Sequence, residues 1–359
     1  IADTVNPMLA DSGVSVTFEK RTGLSDQLKL YGGDAANGPD MYLWAHDSLG
    51  TFVAMDILEP LGNLVDESVW ADYLPLTVDA GQIGGTQYLL PVYFETLLFL
   101  YNRDMWQGEV PATTEELYEY MVANTDTAAG TYAVVNQHSP SYNVSPFIYG
   151  FGGYILDAEG NPGLNDPKTI EAVEYNKKFA DLEADGDYNT VTTLFNEGKA
   201  AAIIGGPWLV PGIRAAGIDL GVASLSDMTL PNGSPLAPFS GVQGIGVMKA
   251  AAETNGGAIA LALEALASPE VGIALAKAGG CAPANSLSYE NADVAADEII
   301  AAIERTAETA KPMPNAAEMN VMWGPVDSML AAVNKSGQDA ASAAEEAQAA
   351  ALQAIADMQ

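Results

Sequence analysis

Two hydrophobic periods alternate along the chain, and the switching between them predicts an α/β architecture. VSVTFE (14–19) alternates with period two, as a half-buried strand does. LSDQLKLYGG (24–33) reads as a helix closed by a glycine pair. MYLWA (41–45) is a short apolar run after Gly38-Pro39, suited to a buried parallel strand, and SLGTFVAMDIL (48–58) is a helix that stops before Pro60. YLLPVYFETLLFLYN (88–102) is the longest strand-like run, with Glu95 inside it. AAAIIGG (200–206) and GIGVM (244–248) are further short buried strands.

Helix signals fall between these strands. Thr113 with Glu116 forms a capping box that opens a helix to about Met121. Asp166-Pro167 supplies an N-cap and a first-turn proline, and Ala172, Tyr175, Phe179 and Leu182 follow at helical spacing. Ser268-Pro269 repeats that start, and Gly279-Gly280 the stop. From Asp293 onward the chain reads as helix, with Ala344, Ala347, Ala351, Leu352 and Ile355 on one side of the last one. Strands alternating with helices define α/β lobes. No Pro/Ser-rich linker and no repeat interrupts the pattern, so crossing strands must join the lobes.

Composition narrows the function. At 359 residues and 48% hydrophobic, the chain has enough apolar material for two cores. Its 47 acidic and 14 basic residues give a net charge of −33. That surface repels nucleic-acid phosphates and anionic lipid, and reads as a solvated face. One cysteine, Cys281, cannot make an internal disulfide, and two histidines, His46 and His138, leave little for a zinc site. No cofactor motif is present. The apolar run around Glu95 and Pro91 is too short to span a bilayer.

Catalytic motifs are poorly represented. There is no Gly-x-Ser-x-Gly elbow, and a serine triad would have to use His46 or His138. Asp47 and Glu95 could form a glycosidase pair, although 47 acidic residues make some such pair expected by chance. Gly241-x-x-Gly244-x-Gly246 has the wrong spacing for a dinucleotide loop and reads as a tight glycine-rich turn before a strand. Asp181-x-Glu183-x-Asp185 resembles half a calcium loop, but its twelfth position is Thr192, not a bidentate Glu.

The tryptophans carry more. Trp44, Trp208 and Trp323 each stand beside Gly, Pro or a carboxylate, where sequence places the end of an element. Open α/β sheets bind ligands outside the carboxyl ends of their strands. Sugar C–H faces lie well on electron-rich rings, and paired hydroxyls match the two oxygens of a carboxylate. For any single Trp a place in the core is the simpler reading.

At NGPDMYLWAHD (37–47) the chain resembles bacterial extracellular solute-binding proteins of the maltose/maltodextrin type. The resemblance recurs in order at YLLPVYFETLLFLYNRDMW (88–106), FNEGKAAAIIGGPW (195–208), PFSGVQGIGV (238–247) and PMPNAAEMNVMW (312–323). It implies a periplasmic-binding-protein-like fold: two α/β lobes, joined by a multi-crossover hinge, with a ligand cleft between them. Lobe 1 would be residues 1–93 and 238–286, and lobe 2 residues 94–237 and 287–359. It implies that Trp44, Trp208 and Trp323 stack on sugar and that Asp47 and Glu95 bind hydroxyls, with Tyr142 and His138 as further contacts. It also implies a monomer that binds oligosaccharide without turnover by hinge closure. The protein would serve an ABC permease outside the cytoplasm, free in the periplasm or as a lipoprotein. The family's first strand, and any export signal or anchor cysteine, would precede Ile1. Departures from the pattern are Gly324 where the family has Tyr, and Ser48 where it has Arg. A binder of another solute is the alternative; phosphate or iron complexes would need more Arg, Tyr or His than this chain offers.

Overall fold

A computed structural model describes residues 1–182 and 186–358. Glu183 and Asp185 of the half calcium loop therefore lie outside the described residues. In chain order the first elements are α1 (Ala2–Met8), α2 (Leu24–Tyr31), β1 (Met41–Ala45), α3 (Leu49–Ala54) and α4 (Pro75–Ala80). A short hairpin, β2 (Gln82–Ile83) and β3 (Thr86–Gln87), precedes β4 (Leu89–Thr96) and β5 (Leu98–Asn102). Next come α5 (Thr114–Asn124), β6 (Tyr132–Val135), α6 (Ser141–Gly150), α7 (Pro167–Ala180), α8 (Tyr188–Asn196), β7 (Ala200–Gly205), α9 (Val210–Ala215) and β8 (Leu220–Ser224). The chain continues through β9 (Phe239–Val247), α10 (Lys249–Leu266), α11 (Pro269–Gly279), β10 (Ala282–Pro283), α12 (Ala292–Ala295) and α13 (Glu298–Ala307). It ends with β11 (Lys311–Pro312), α14 (Met319–Ser336) and α15 (Ala340–Ala356).

The chain divides into two compact units. Unit 1 holds residues 1–95, 241–300 and 313–320; unit 2 holds 96–240, 301–312 and 321–359. Residues 287–300 and 313–320 thus fall in unit 1. The division splits the longest strand-like run, because β4 as far as Glu95 belongs to unit 1 and β5 to unit 2.

In unit 1 the strand order is β1-β9-β4-β10. β1 pairs antiparallel with β9, Trp44 opposite Gly244 and Ala45 opposite Gln243. This corrects the parallel, fully buried strand expected from MYLWA: only Tyr42 of the five is buried, as suits a strand with one partner. The glycines expected in a turn lie inside β9. A Cβ at Gly246 would meet the Tyr42 ring at 2.3 Å, and one at Gly244 would meet Leu89 at 2.9 Å, so small residues let the neighbouring side chains pack flat on this strand. VSVTFE forms no strand. Only Val16 of that stretch is buried, and Asn6 grips its backbone on both sides, accepting from Val16 N–H at 2.7 Å and donating to its carbonyl at 3.0 Å. The core gathers Leu28, Phe52, Leu61, Leu90, Val247 and Leu263.

In unit 2 the order is β6-β7-β5-β8, with β5 antiparallel to both neighbours and β6 parallel to β7. β7 is buried at every position, as an all-apolar run between two strands must be. The α5 capping box forms in both directions, and Asp166 caps α7 by accepting from Lys168 N–H. In α15 the alanines at 344, 347 and 351 are buried, but Leu352 is 52% exposed and lies off that face. No single helix among the described residues is long and apolar enough to cross a membrane.

Candidate functional site

Unit 1 holds Trp44, Asp47 and Glu95. The indole of Trp44 is 39% exposed, although it stands in a strand. Asp47 follows in the helical turn His46–Ser48, half-buried, and its charge acts on the buried Tyr42 hydroxyl, whose ionisation burial already opposes. His46 fastens this turn. It is 1% exposed; its Nδ1 accepts from Val242 N–H at 3.0 Å, so the ring proton resides on Nε2, which donates to the Met313 carbonyl at 2.9 Å. Burial pushes its pKa down to about 4, so the ring is neutral and structural. The same segment closes against α3: Gly50 N–H donates to Asn315 O at 2.9 Å, and a Cβ at Gly50 would lie 2.5 Å from that oxygen.

Glu95 ends the unit 1 part of β4 and is buried. Burial pushes its carboxyl up to about 7; the Gln243 amide, donating to Oε1 at 2.9 Å, pulls the other way. Its charge also acts on Tyr93, two residues earlier on the same strand, and on Cys281 beside β10.

Unit 2 gathers Tyr142, Trp208 and Trp323 around Phe239. Ring centroids are 6.0 Å apart for Tyr142–Trp208, 6.3 Å for Tyr142–Phe239 and 6.0 Å for Phe239–Trp323. The Gly-Gly-Pro-Trp sequence explains the pose of Trp208. A Cβ at Gly206 would lie 2.0 Å from the indole, and one at Gly205 2.3 Å from Leu209, so only glycines let the chain turn and the ring fold back. Trp208 remains 37% exposed. Trp323 corrects the element-end expectation: it lies inside α14, half-buried, with Pro325 in the same helix.

The cluster is tied down from two sides. α6 begins after Pro140, which has no capping side chain, and Asp327 of α14 takes that role: Oδ1 accepts from Ser141 N–H at 2.7 Å and from its hydroxyl at 2.6 Å. A carboxylate there also meets the positive end of the helix. One turn on, the Ser145 hydroxyl accepts from Phe239 N–H at 3.0 Å.

His138 is held from α7 and α14. It is buried, its Nδ1 is 2.7 Å from Asn176 Oδ1, and its carbonyl accepts from Asn176 and Asn334. Sequence reasoning missed Phe239, Gln243 and Asp327. Gln243 carried a signal, a lone amide in a Gly/aliphatic strand; Phe239 and Asp327 carried none, since their roles depend on contacts distant in sequence. A separate pocket of about 390 Å³ in unit 2 is lined by Tyr149, Phe151, Pro235 and Lys311 among others, and by none of the predicted residues. No group of three or more His, Cys, Asp or Glu among the described residues is arranged to hold a metal ion.

The fold is that of the two-lobe solute-binding proteins. It is similar to the crystal structure of a cyclo/maltodextrin-binding protein complexed with maltotetraose, with a TM-score of 0.84, 26% identity, and coverage of 98% of this chain and 92% of that one. The family of bacterial extracellular solute-binding proteins matches residues 4–302, and the chain belongs to it. A maltotriose-binding protein of Pyrococcus abyssi is 30% identical over 322 residues, 88% of this chain and 70% of the relative. A galactooligosaccharide-binding protein of Bacillus subtilis is 30% identical over 331 residues, 88% of this chain and 76% of the relative.

Proposed function

We propose that this protein captures a glucosyl-type oligosaccharide outside the cytoplasm and presents it, unaltered, to an ABC permease. The observation that carries the reading is the aromatic cluster of unit 2: Tyr142 and Trp323 against Phe239, and Trp208 beside Tyr142, exposed and folded back over Gly206. Such rings suit sugar C–H faces, and the Trp44, Asp47 and Glu95 group suits a stacked ring with charged hydrogen bonds to hydroxyls. Hinge closure around the oligosaccharide is part of this reading. The protein acts as a monomer and catalyses nothing.

Micromolar affinity corresponds to about −8 kcal/mol, within reach of a few stacked rings and charged hydrogen bonds. Calorimetry with maltose, maltotriose, maltotetraose, trehalose and a galactooligosaccharide tests this; heat from none of them rejects it. The galactooligosaccharide belongs in the panel because a relative as similar as the maltotriose binder carries that name. Chromatography of maltotriose after prolonged incubation separates binding from glycosidase action by Asp47 and Glu95; shorter sugars would mean turnover.

A further inference from the structure

Gln243 is the only polar side chain in β9 between Gly241 and Val247. It is half-buried and donates to Glu95 Oε1 at 2.9 Å. Gly241 has no side chain where Glu95 passes, and a Cβ there would lie 3.8 Å from Glu95 Cγ and 3.0 Å from the Met313 methyl. The titratable groups nearby are Tyr93 on β4, Cys281 beside β10, and His46, which accepts from Val242 and is neutral. Among the described residues, no cation acts on Glu95.

We propose that Gln243 is the positioning residue for the ligand-binding carboxylate: it engages Oε1, fixes the carboxyl orientation, directs Oε2 to a sugar hydroxyl, and lets Glu95 give up its proton when ligand arrives. The proposal rests on the reading of Glu95 as a ligand contact. A sugar hydroxyl donates a charge-assisted bond to Oε2 only when that oxygen carries no proton. Burial pushes Glu95 up to about 7, so ligand binding below neutrality must expel a proton. Without the amide, the carboxyl loses a bond that favours its charge and holds that proton to higher pH.

The test combines two measurements on the wild type and Gln243→Met, a variant of similar shape with no donor. Carboxyl carbon NMR follows the Glu95 titration without ligand, the signal being assigned by its loss in Glu95→Gln. Calorimetry follows maltotriose affinity from pH 5.5 to 9. In Gln243→Met the Glu95 titration should move to higher pH. The variant's affinity should be weaker by about tenfold at pH 6.5, with the gap closing by pH 9, as one unit of displacement requires. An unmoved titration overturns the proposal, whatever binds. So does an affinity loss equal at every pH, which is what a merely structural role would give. If no glycan binds at any pH while the titration still moves, the oligosaccharide reading fails and Gln243's hold on Glu95 stands.

Discussion

Gly206→Ala perturbs the platform without removing any ring. The backbone at residue 206 has φ −105°, which alanine adopts without strain. The obstacle is the Trp208 indole, 2.0 to 2.5 Å from the new methyl, where contact distance is about 3.5 to 4 Å. The ring must swing by roughly 1.5 Å or more, and its outer atoms are the ones in the way. An indole presents about 250 Å², so 37% exposure leaves about 90 Å² for a sugar to cover, worth about 2 kcal/mol. Losing that pose should weaken oligosaccharide binding about thirtyfold. Stability should hardly change, because loss of the Tyr142 contact, about 0.5–1.5 kcal/mol, is offset by the 0.4–1 kcal/mol or so that Gly→Ala gains through the unfolded chain. Calorimetry with maltotriose beside a thermal melt checks both. Unchanged affinity, or equal losses of affinity and stability, would refute the argument that Gly206 exists for the Trp208 pose.

Asp327→Ala strands two buried donors of Ser141 and should cost about 2–3 kcal/mol by urea unfolding, while Ser141→Ala, which removes one donor and keeps the backbone bond, should cost about half as much. Trp323→Ala should weaken oligosaccharide binding tenfold or more, read by the same titration, if the Phe239 cluster is the platform. His46 and Glu95 should oppose each other in acid. The folded pKa of His46 is depressed, so its stabilisation is present above about 6.5 and is lost as pH falls to about 4. That of Glu95 is raised, so its cost is absent below about 4.5 and grows as pH rises to about 7. Each spans about 3 kcal/mol, and together they nearly cancel between pH 4.5 and 6.5. Glu95→Gln should therefore steepen the acid loss of stability, and His46→Gln should reverse its slope; parallel profiles in urea titrations would contradict both assignments.

Local signals in the sequence fared according to how local their causes are. Thr113 and Glu116 decide a capping box within four residues, and it forms. Asp166-Pro167 and Ser268-Pro269 likewise open α7 and α11. The direction of β1 could not be read, because MYLWA is apolar whichever way its partner runs; the antiparallel β9 lies some 200 residues on. VSVTFE shows the reverse failure: a period-two pattern with no strand beside it, held instead by Asn6. Flanking Gly, Pro and acid residues single out Trp44, Trp208 and Trp323 in the sequence; Trp44 and Trp208 are exposed, whereas Trp106 is buried in the core. Trp323 was placed at an element end because Gly324 and Pro325 follow it, yet α14 runs through both. Pro325 is the seventh residue of α14, where it forgoes one i→i−4 hydrogen bond and the helix continues past it.

A crystal structure with bound maltotriose tests the central claim most directly. The account predicts glucosyl rings stacked on Trp208 and Trp323. A bound sugar that leaves both of those rings in water would contradict it.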